Sequence, residues 1–233
     1  MSIGYFVDKK KEYVITNHFT KRPLMNYLWN ESVMIDVNQF GFGPNSVFDE
    51  KRFRRELFAG GDNRIIYIMD RADNTYYAAN RNYKKLPFTR FETHVGQGYS
   101  TISSSYKDLD VDYTIFAPIE GRAECWEIKL KNTGNTVRDL SVYPTAHLLV
   151  CLSGHTAYIS GDYDKELDGI FCPENGFALD TDYTNSYMVS DYPVAEYEVA
   201  KDRFVGYYNE FSNPVALENG GTLSNTGSCF DGD

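Results

Sequence analysis

Side chains suited to acid–base or ligand chemistry are plentiful in this chain, and their spacing decides which could act together. Asp110 and Asp112 stand two residues apart within Leu109-Asp110-Val111-Asp112-Tyr113-Thr114-Ile115. On a strand that spacing puts both carboxylates on one face, beside an apolar face formed by Leu109, Val111, Tyr113 and Ile115. Such a pair is expected to face solvent, because a tuned acid–base pair needs a desolvated or like-charged setting. Asp162, Asp164, Glu166 and Asp168 form an acidic loop. A hard cation wants several oxygens, but the central Gly and final Glu of a calcium loop are absent, so a solvated turn is expected. His18, His94, His147 and His155 are dispersed. No G-x-S-x-G elbow accompanies them, which removes the basis for a serine-nucleophile reading. Cys125, Cys151, Cys172 and Cys229 include no C-x-x-C pair and fit no zinc spacing. They read as buried free thiols of a cytoplasmic protein. No catalytic residue, metal site or cofactor is assigned.

Short strands must position these groups. Gly4-Tyr5-Phe6-Val7 and Tyr13-Val14-Ile15 flank a polar, lysine-rich turn and read as a hairpin, with a loop over 17–23 that holds Pro23. Residues 32–37 predict a strand. Phe40-Gly41-Phe42-Gly43-Pro44-Asn45-Ser46 predicts a loop whose glycines need positive φ or a close approach. It is not a phosphate loop, since no Gly-Lys-Ser/Thr follows. Arg52-Phe53-Arg54-Arg55-Glu56 is a basic knot suited to a turn or to an anion or sugar-hydroxyl contact. Ile65-Ile66-Tyr67-Ile68-Met69 reads as a strand buried on both faces, paired through Asp73-Asn74 with Thr75-Tyr76-Tyr77-Ala78. Consecutive strands are predicted on either side of residues 96–98, then over 109–115 and 126–130, where apolar and polar residues alternate. Leu140, Val142, Ala146, Leu148 and Val150 predict one long strand containing Pro144. Beyond 153 the alternation weakens. Short strands are expected at 169–172, 176–179 and 186–190, and residues 196–208 suit either a strand or a helical turn.

No segment carries a long amphipathic helical period, so the fold class is all-β: one large antiparallel β-sandwich over residues 1–233, with few short helices. The net charge of −10 argues against nucleic acid or anionic membranes as partners. The start has no apolar leader segment, and no run approaches a membrane span. Nineteen Tyr and 15 Phe favour strands and supply rings that could stack on sugars, although most should be half-buried sheet residues.

Short matches distributed along the chain carry a more specific reading. They include Tyr67-Ile68-Met69-Asp70, His94-Val95-Gly96-Gln97-Gly98-Tyr99-Ser100, Phe116-Ala117-Pro118 and Glu124-Cys125-Trp126-Glu127. Others are Arg138-Asp139-Leu140-Ser141-Val142-Tyr143 and Asp202-Arg203-Phe204-Val205-Gly206-Tyr207-Tyr208. In order and spacing the chain resembles the N-terminal β-supersandwich domain of the cellobiose and chitobiose phosphorylases, a galactose-mutarotase-like fold. The resemblance implies a non-catalytic, carbohydrate-related domain. In the full-length enzyme, inorganic phosphate is the co-substrate and cleaves a β-linked disaccharide or oligosaccharide to a sugar 1-phosphate. The proton donor would sit on an (α/α)6 helical catalytic domain for which this chain has no segment. The implied partners are that domain and a second copy in a homodimer.

On this resemblance, loops carrying Arg22, Asn26, Tyr27, Phe42, Asn45 and Arg54 are expected near sugar or at the domain seam. Departures fall in the same loops. Leu24-Met25 precede Asn26 where the family has a Trp nearby, and Trp29 stands where the family has Gly. Ala79-Asn80-Arg81-Asn82 replaces a Trp-Gln-Pro segment. Two other readings stay open: a free-standing carbohydrate-binding protein, which needs an exposed aromatic platform, and a remnant without a sugar role.

Overall fold

The computed structural model describes residues 2–48, 54–58, 60–152, 157–159, 161–172, 174–176 and 185–226. In chain order the first strands are β1 (Gly4–Val7), β2 (Glu12–Ile15), β3 (Asn26–Trp29), β4 (Val33–Val37), β5 (Asn45–Phe48) and β6 (Arg54–Phe58). Next come β7 (Arg64–Asp70), β8 (Thr75–Ala78), β9 (Arg90–Val95), β10 (Tyr99–Tyr106), β11 (Leu109–Phe116), β12 (Cys125–Asn132) and β13 (Leu140–Ala146). The last are β14 (Leu148–Leu152), β15 (Ala157–Ile159), β16 (Asp162–Asp164), β17 (Gly169–Cys172), β18 (Glu174–Gly176) and β19 (Ser186–Val189). Two single-turn helices follow, α1 (Lys201–Phe204) and α2 (Val215–Glu218). Among the described residues, antiparallel strands with only these two short helices give the all-β class that the alternation predicts.

The chain divides into two compact units, Met1–Arg52 with Phe58–His147, and Phe53–Leu57 with Leu148–Asp233. In the first, a sheet of order β1-β2-β9-β10-β11-β12 faces two smaller arrays, β13-β7-β8 and β5-β4-β3. The core lies between these layers. Ile102, Leu109, Val111, Tyr113 and Ile115 pack on Leu28, Val33, Ile35 and Val37 and on Ile66, Ile68 and Tyr77. The period of two in β11 is realised without exception: Leu109, Val111, Tyr113 and Ile115 are buried, and the residues between them are half-buried. On the other face Asp110 and Asp112 accept hydroxyl bonds from Ser105 and Ser103, and Arg90 pairs with Asp112 at 3.0 Å. These carboxylates thus belong to a cross-strand polar ladder. β7 is buried on both faces from Arg64 to Met69, as a continuous apolar run allows.

Three sequence expectations change. The long strand over 140–150 is two strands: β13 pairs with β7 up to Ala146↔Arg64, and β14 begins at Leu148 in the second unit. Alternation alone cannot register a change of partner at His147. Pro144 is tolerated because β13 is the terminal strand of its sheet. Asn45 and Ser46 open β5 and are buried, where a loop is predicted. On β12, Leu130 stays 39% exposed, because a terminal strand has a neighbour on one side only.

In the second unit β16, β17 and β19 form one small sheet and β15 pairs with β18. Residues 196–208 resolve as a single helical turn, α1. Phe204, Val205, Ala216 and Leu217 are buried there, and the Val215 N–H donates to the Val205 carbonyl at 3.1 Å. Tyr163 stacks on Tyr197 with centroids 4.1 Å apart. The acidic loop is a turn built from its own carboxylates. Asp164 accepts from the backbone N–H groups of Glu166 and Leu167, and Asp168 accepts from the Tyr163 hydroxyl and the Val194 N–H. The strand expected over 176–179 falls mostly on residues outside the described ones, as do Arg52, Phe53 and His155. Of the cysteines, Cys172 is buried, and Cys125 is half-buried and free.

Candidate functional site

The most heavily bonded feature of the first unit is the loop over residues 38–44, and the ion pair beneath it explains its shape. Arg64 opens β7 with a side chain that is fully buried, and Glu124, just before β12, is 3% exposed. The two form a bidentate pair, Nε to Oε1 at 2.6 Å and Nη2 to Oε2 at 2.8 Å. Planar guanidinium and carboxylate match in this geometry. The Asn45 side-chain amide donates to Oε2 at 2.6 Å and the Trp126 indole to Oε1 at 2.5 Å. Four donors therefore converge on one buried carboxylate. With its oxygens held in this way, Glu124 serves as an anchor.

The remaining guanidinium nitrogen works on the loop. Arg64 Nη1 donates to the carbonyls of Gly43 at 2.6 Å and Gly41 at 3.3 Å. Asn63 brackets Gly43, its amide donating to the carbonyl at 2.9 Å while its oxygen accepts from the N–H at 3.3 Å. Asn80 reaches the Phe40 and Arg64 carbonyls at 2.8 and 2.7 Å. Asn38 accepts from the N–H groups of Phe40 and Phe42. Gly43 has φ +152°, and a Cβ there would meet the Asp36 carbonyl oxygen at 2.2 Å, so only glycine fits. Rings seal the cluster. Phe58 lies 4.2 Å from the Arg64 guanidinium carbon, and Phe40 lies 4.0 Å from that of Arg81.

Two groups at this cluster mark its energetic cost. The Tyr113 hydroxyl and the Asn45 side-chain oxygen are buried without a hydrogen-bond partner among the described residues. Burial, with Glu124 nearby, pushes the Tyr113 phenol well above its ordinary value, so it stays neutral. A buried hydroxyl without a partner forfeits its hydration. Tyr113→Phe is therefore expected to leave the fold unchanged and to raise stability by roughly 1 kcal/mol, about 2–4 °C in the thermal midpoint. Calorimetry checks this, and a loss of 1 kcal/mol or more would show that the hydroxyl has a partner.

A second polar group pins the far side of the loop. His18 is buried and packs against Phe91 and Phe40, with centroids 4.7 and 5.5 Å away. The Thr93 hydroxyl gives its proton to the Gln39 carbonyl at 2.6 Å, so its contact with His18 Nε2 at 3.0 Å requires the imidazole to donate. Burial, aided by the positive Arg81, lowers His18 to about 4. The neutral Nε2–H tautomer is the working form.

Of the six residues singled out from sequence, Arg22, Asn26, Tyr27, Phe42 and Asn45 lie in the first unit and Arg54 in the second. Asn45 and Phe42 flank the Arg64–Glu124 pair, but both are buried and cannot meet a ligand without rearrangement. Asn26 ties β3 to the β9–β10 turn, donating to the Tyr99 carbonyl at 3.1 Å and the Ser100 hydroxyl at 3.0 Å. Next to it Tyr27 is 57% exposed. Arg22 lies exposed in the loop before β3. Arg54 belongs to the second unit, with Glu56 at 3.8 Å. Neither periodicity nor spacing marks a role for Arg64, Asn63, Asn80 or Glu124. A charged residue at the head of the apolar run 65–69 was the available signal, and Glu124 with Trp126 at a two-residue spacing was another. Among the described residues, no group of three or more His, Cys, Asp or Glu could hold a metal ion.

Comparison with known proteins places these features in a family. The chain is 25% identical to solabiose phosphorylase of Paenibacillus borealis over 240 residues, 98% of this chain and 31% of that protein. It is 26% identical to N,N'-diacetylchitobiose phosphorylase of Vibrio proteolyticus, over 99% of this chain and 30% of that protein. It is also 26% identical to 3-O-beta-D-glucopyranosyl-beta-D-glucuronide phosphorylase of Paenibacillus borealis, over 93% of this chain and 28% of that protein. The chain thus spans about three tenths of the length of these curated relatives. The profile of the glycosyl hydrolase 94 supersandwich domain matches residues 11–232, and the chain, whose first unit is two facing antiparallel layers, belongs to that family.

Proposed function

We propose that this chain is the non-catalytic supersandwich module of an inverting disaccharide phosphorylase. In such an enzyme inorganic phosphate attacks the anomeric carbon of a β-linked disaccharide or oligosaccharide. A carboxylic acid protonates the departing sugar oxygen, and a sugar 1-phosphate is released. Phosphate is itself the nucleophile, so no second carboxylate is needed as base. The acid belongs to a helical catalytic domain, and the module's share is to shape the active-site mouth and a homodimer face. Arg22 and Tyr27 are the exposed members of the first-unit set able to meet sugar or a domain seam directly. Phe42 and Asn45 act from beneath, through the pinned loop.

The observation that carries this reading is the family match over residues 11–232, in a chain spanning three tenths of relatives that are phosphorylases by name. The geometry is consistent with it: a loop fixed by Arg64, Asn63 and Asn80 is a wall of defined shape, and its nearest carboxylate is fully used as an acceptor. The free thiol of Cys125 suits the cytoplasm, and no helix among the described residues is long and apolar enough to cross a membrane.

The test is phosphorolysis by the full-length product of the gene encoding this chain. With cellobiose, N,N'-diacetylchitobiose or solabiose and inorganic phosphate, release of a sugar 1-phosphate is expected, and none from the 233-residue chain alone. Turnover by the isolated chain, or inactivity of the full-length product on every β-linked disaccharide tried, would overturn the proposal.

A further inference from the structure

β3 is the terminal strand of its sheet, and its side chains alternate sharply. Leu28 is buried in the core, whereas Tyr27 is 57% and Trp29 72% exposed. Two residues apart on a strand, these two side chains leave the same face of the sheet, their Cα atoms roughly 6.5–7 Å apart. Across the ladder, Tyr27 stands opposite Asp36 and Trp29 opposite Met34. Just beyond Trp29, the Asn30 amide holds the loop of Pro118 and Gly121 by two hydrogen bonds of 2.9 Å. That loop keeps Ile119 94% exposed. Two exposed aromatic side chains thus share one face of β3, with Asp36 opposite Tyr27.

We infer that the outer face of β3, centred on Tyr27 and Trp29, binds a neutral β-linked glycan by stacking sugar rings on the two aromatic side chains. The inference takes its ligand class from the phosphorylase reading and extends it to the outer face of β3. Three considerations select this occupant. A sugar has an apolar C–H face that matches an aromatic ring and hydroxyls that match polar groups beside it. The chain carries a net charge of −10, which repels nucleic acid and anionic lipid but not a neutral glycan. Two large aromatic side chains left in water side by side on one strand face mark a contact surface.

The chain has two tryptophans, Trp29 and Trp126, so the tryptophan emission of a Trp126→Phe variant reports on Trp29 alone. Titration with cellohexaose or chitohexaose is expected to give a saturable blue shift in that variant and saturable heat in the unaltered chain. Trp29→Ala and Tyr27→Ala should each weaken binding about tenfold or more, with an unchanged circular dichroism spectrum because both side chains are exposed. Val137→Ala, at a fully exposed position between β12 and β13, should leave the affinity unchanged. Absence of binding at millimolar glycan, or equal affinity in Trp29→Ala, would overturn the inference. So would a blue shift that depends on protein concentration and not on glycan, since the face would then be covered by a second copy. The two proposals fail separately: a full-length product that releases sugar 1-phosphate while the chain binds no glycan leaves the phosphorylase reading standing alone. Glycan binding without any phosphorolysis leaves the platform standing alone.

Discussion

Glu124→Ala is expected to cost about 3–5 kcal/mol, the largest single-residue loss in the first unit. The substitution leaves the Arg64 guanidinium buried without its counter-charge and frees the donors of Asn45 and Trp126 at the same time. Glu124→Gln should fare little better. An amide offers one acceptor oxygen where the carboxylate offers two, and it turns a donor toward the existing donors. A double change, Arg64→Met with Glu124→Leu, removes both charges and should recover much of the loss, because the desolvation penalty of both ions disappears with them. It should not restore the loop, since Met cannot donate to the Gly41 and Gly43 carbonyls. Urea denaturation followed by Trp126 emission in a Trp29→Phe background measures all three variants. A cost below 1 kcal/mol for Glu124→Ala would show that the pair is open to water. Amide exchange over residues 38–44 should quicken even in the double variant, separating the pair's part in stability from its part in holding the loop.

Acidification from pH 7.5 to 4 is expected to remove about 3 kcal/mol through His18 alone. The sign follows from the lowered value. The unfolded chain takes up a proton near 6.5 and the folded chain only near 4, so between these values protons bind the unfolded state preferentially. The contribution of His18 is complete above about pH 6.5, declines as the pH falls, and levels off below about 4. His18→Gln keeps a donor for the Thr93 oxygen but cannot ionise, so its stability should lack this slope while the unaltered chain shows it. Equal slopes in the two proteins would place the loss elsewhere. One other group is Glu12. Burial raises its carboxyl, but the Tyr99 hydroxyl at 2.5 Å and His94 at 3.1 Å outweigh burial and leave it below its ordinary value. It too loses stability on acidification, but at the lower pH where carboxylates titrate, so the His18 variant resolves the two. The consequence is local to the loop. Protonating His18 places a charge between Phe40 and Phe91, against the residues that anchor 38–44.

The amino-acid sequence by itself determined the elements whose burial is a simple function of position. A period of two in residues 109–115 places Leu109, Val111, Tyr113 and Ile115 inside, because each successive side chain leaves the opposite face. The continuous run 65–69 belongs to a strand covered on both sides, and the absence of a helical period leaves, among the described residues, only the two turns α1 and α2. The family, too, was legible, since its short matches lie largely on strands, where pattern and identity coincide. Tertiary structure alone decided what the polar residues do. Asn45 is 79 residues from Glu124 and Arg64 is 60 from it, so neither spacing nor composition could pair them. Asn26 and Tyr27 are adjacent in sequence, yet one is spent on the Tyr99 and Ser100 acceptors and the other faces solvent. The reason is physical. An apolar residue needs only to leave water, which a local pattern specifies, whereas a buried polar atom needs a particular partner at hydrogen-bond distance, which only the folded chain supplies.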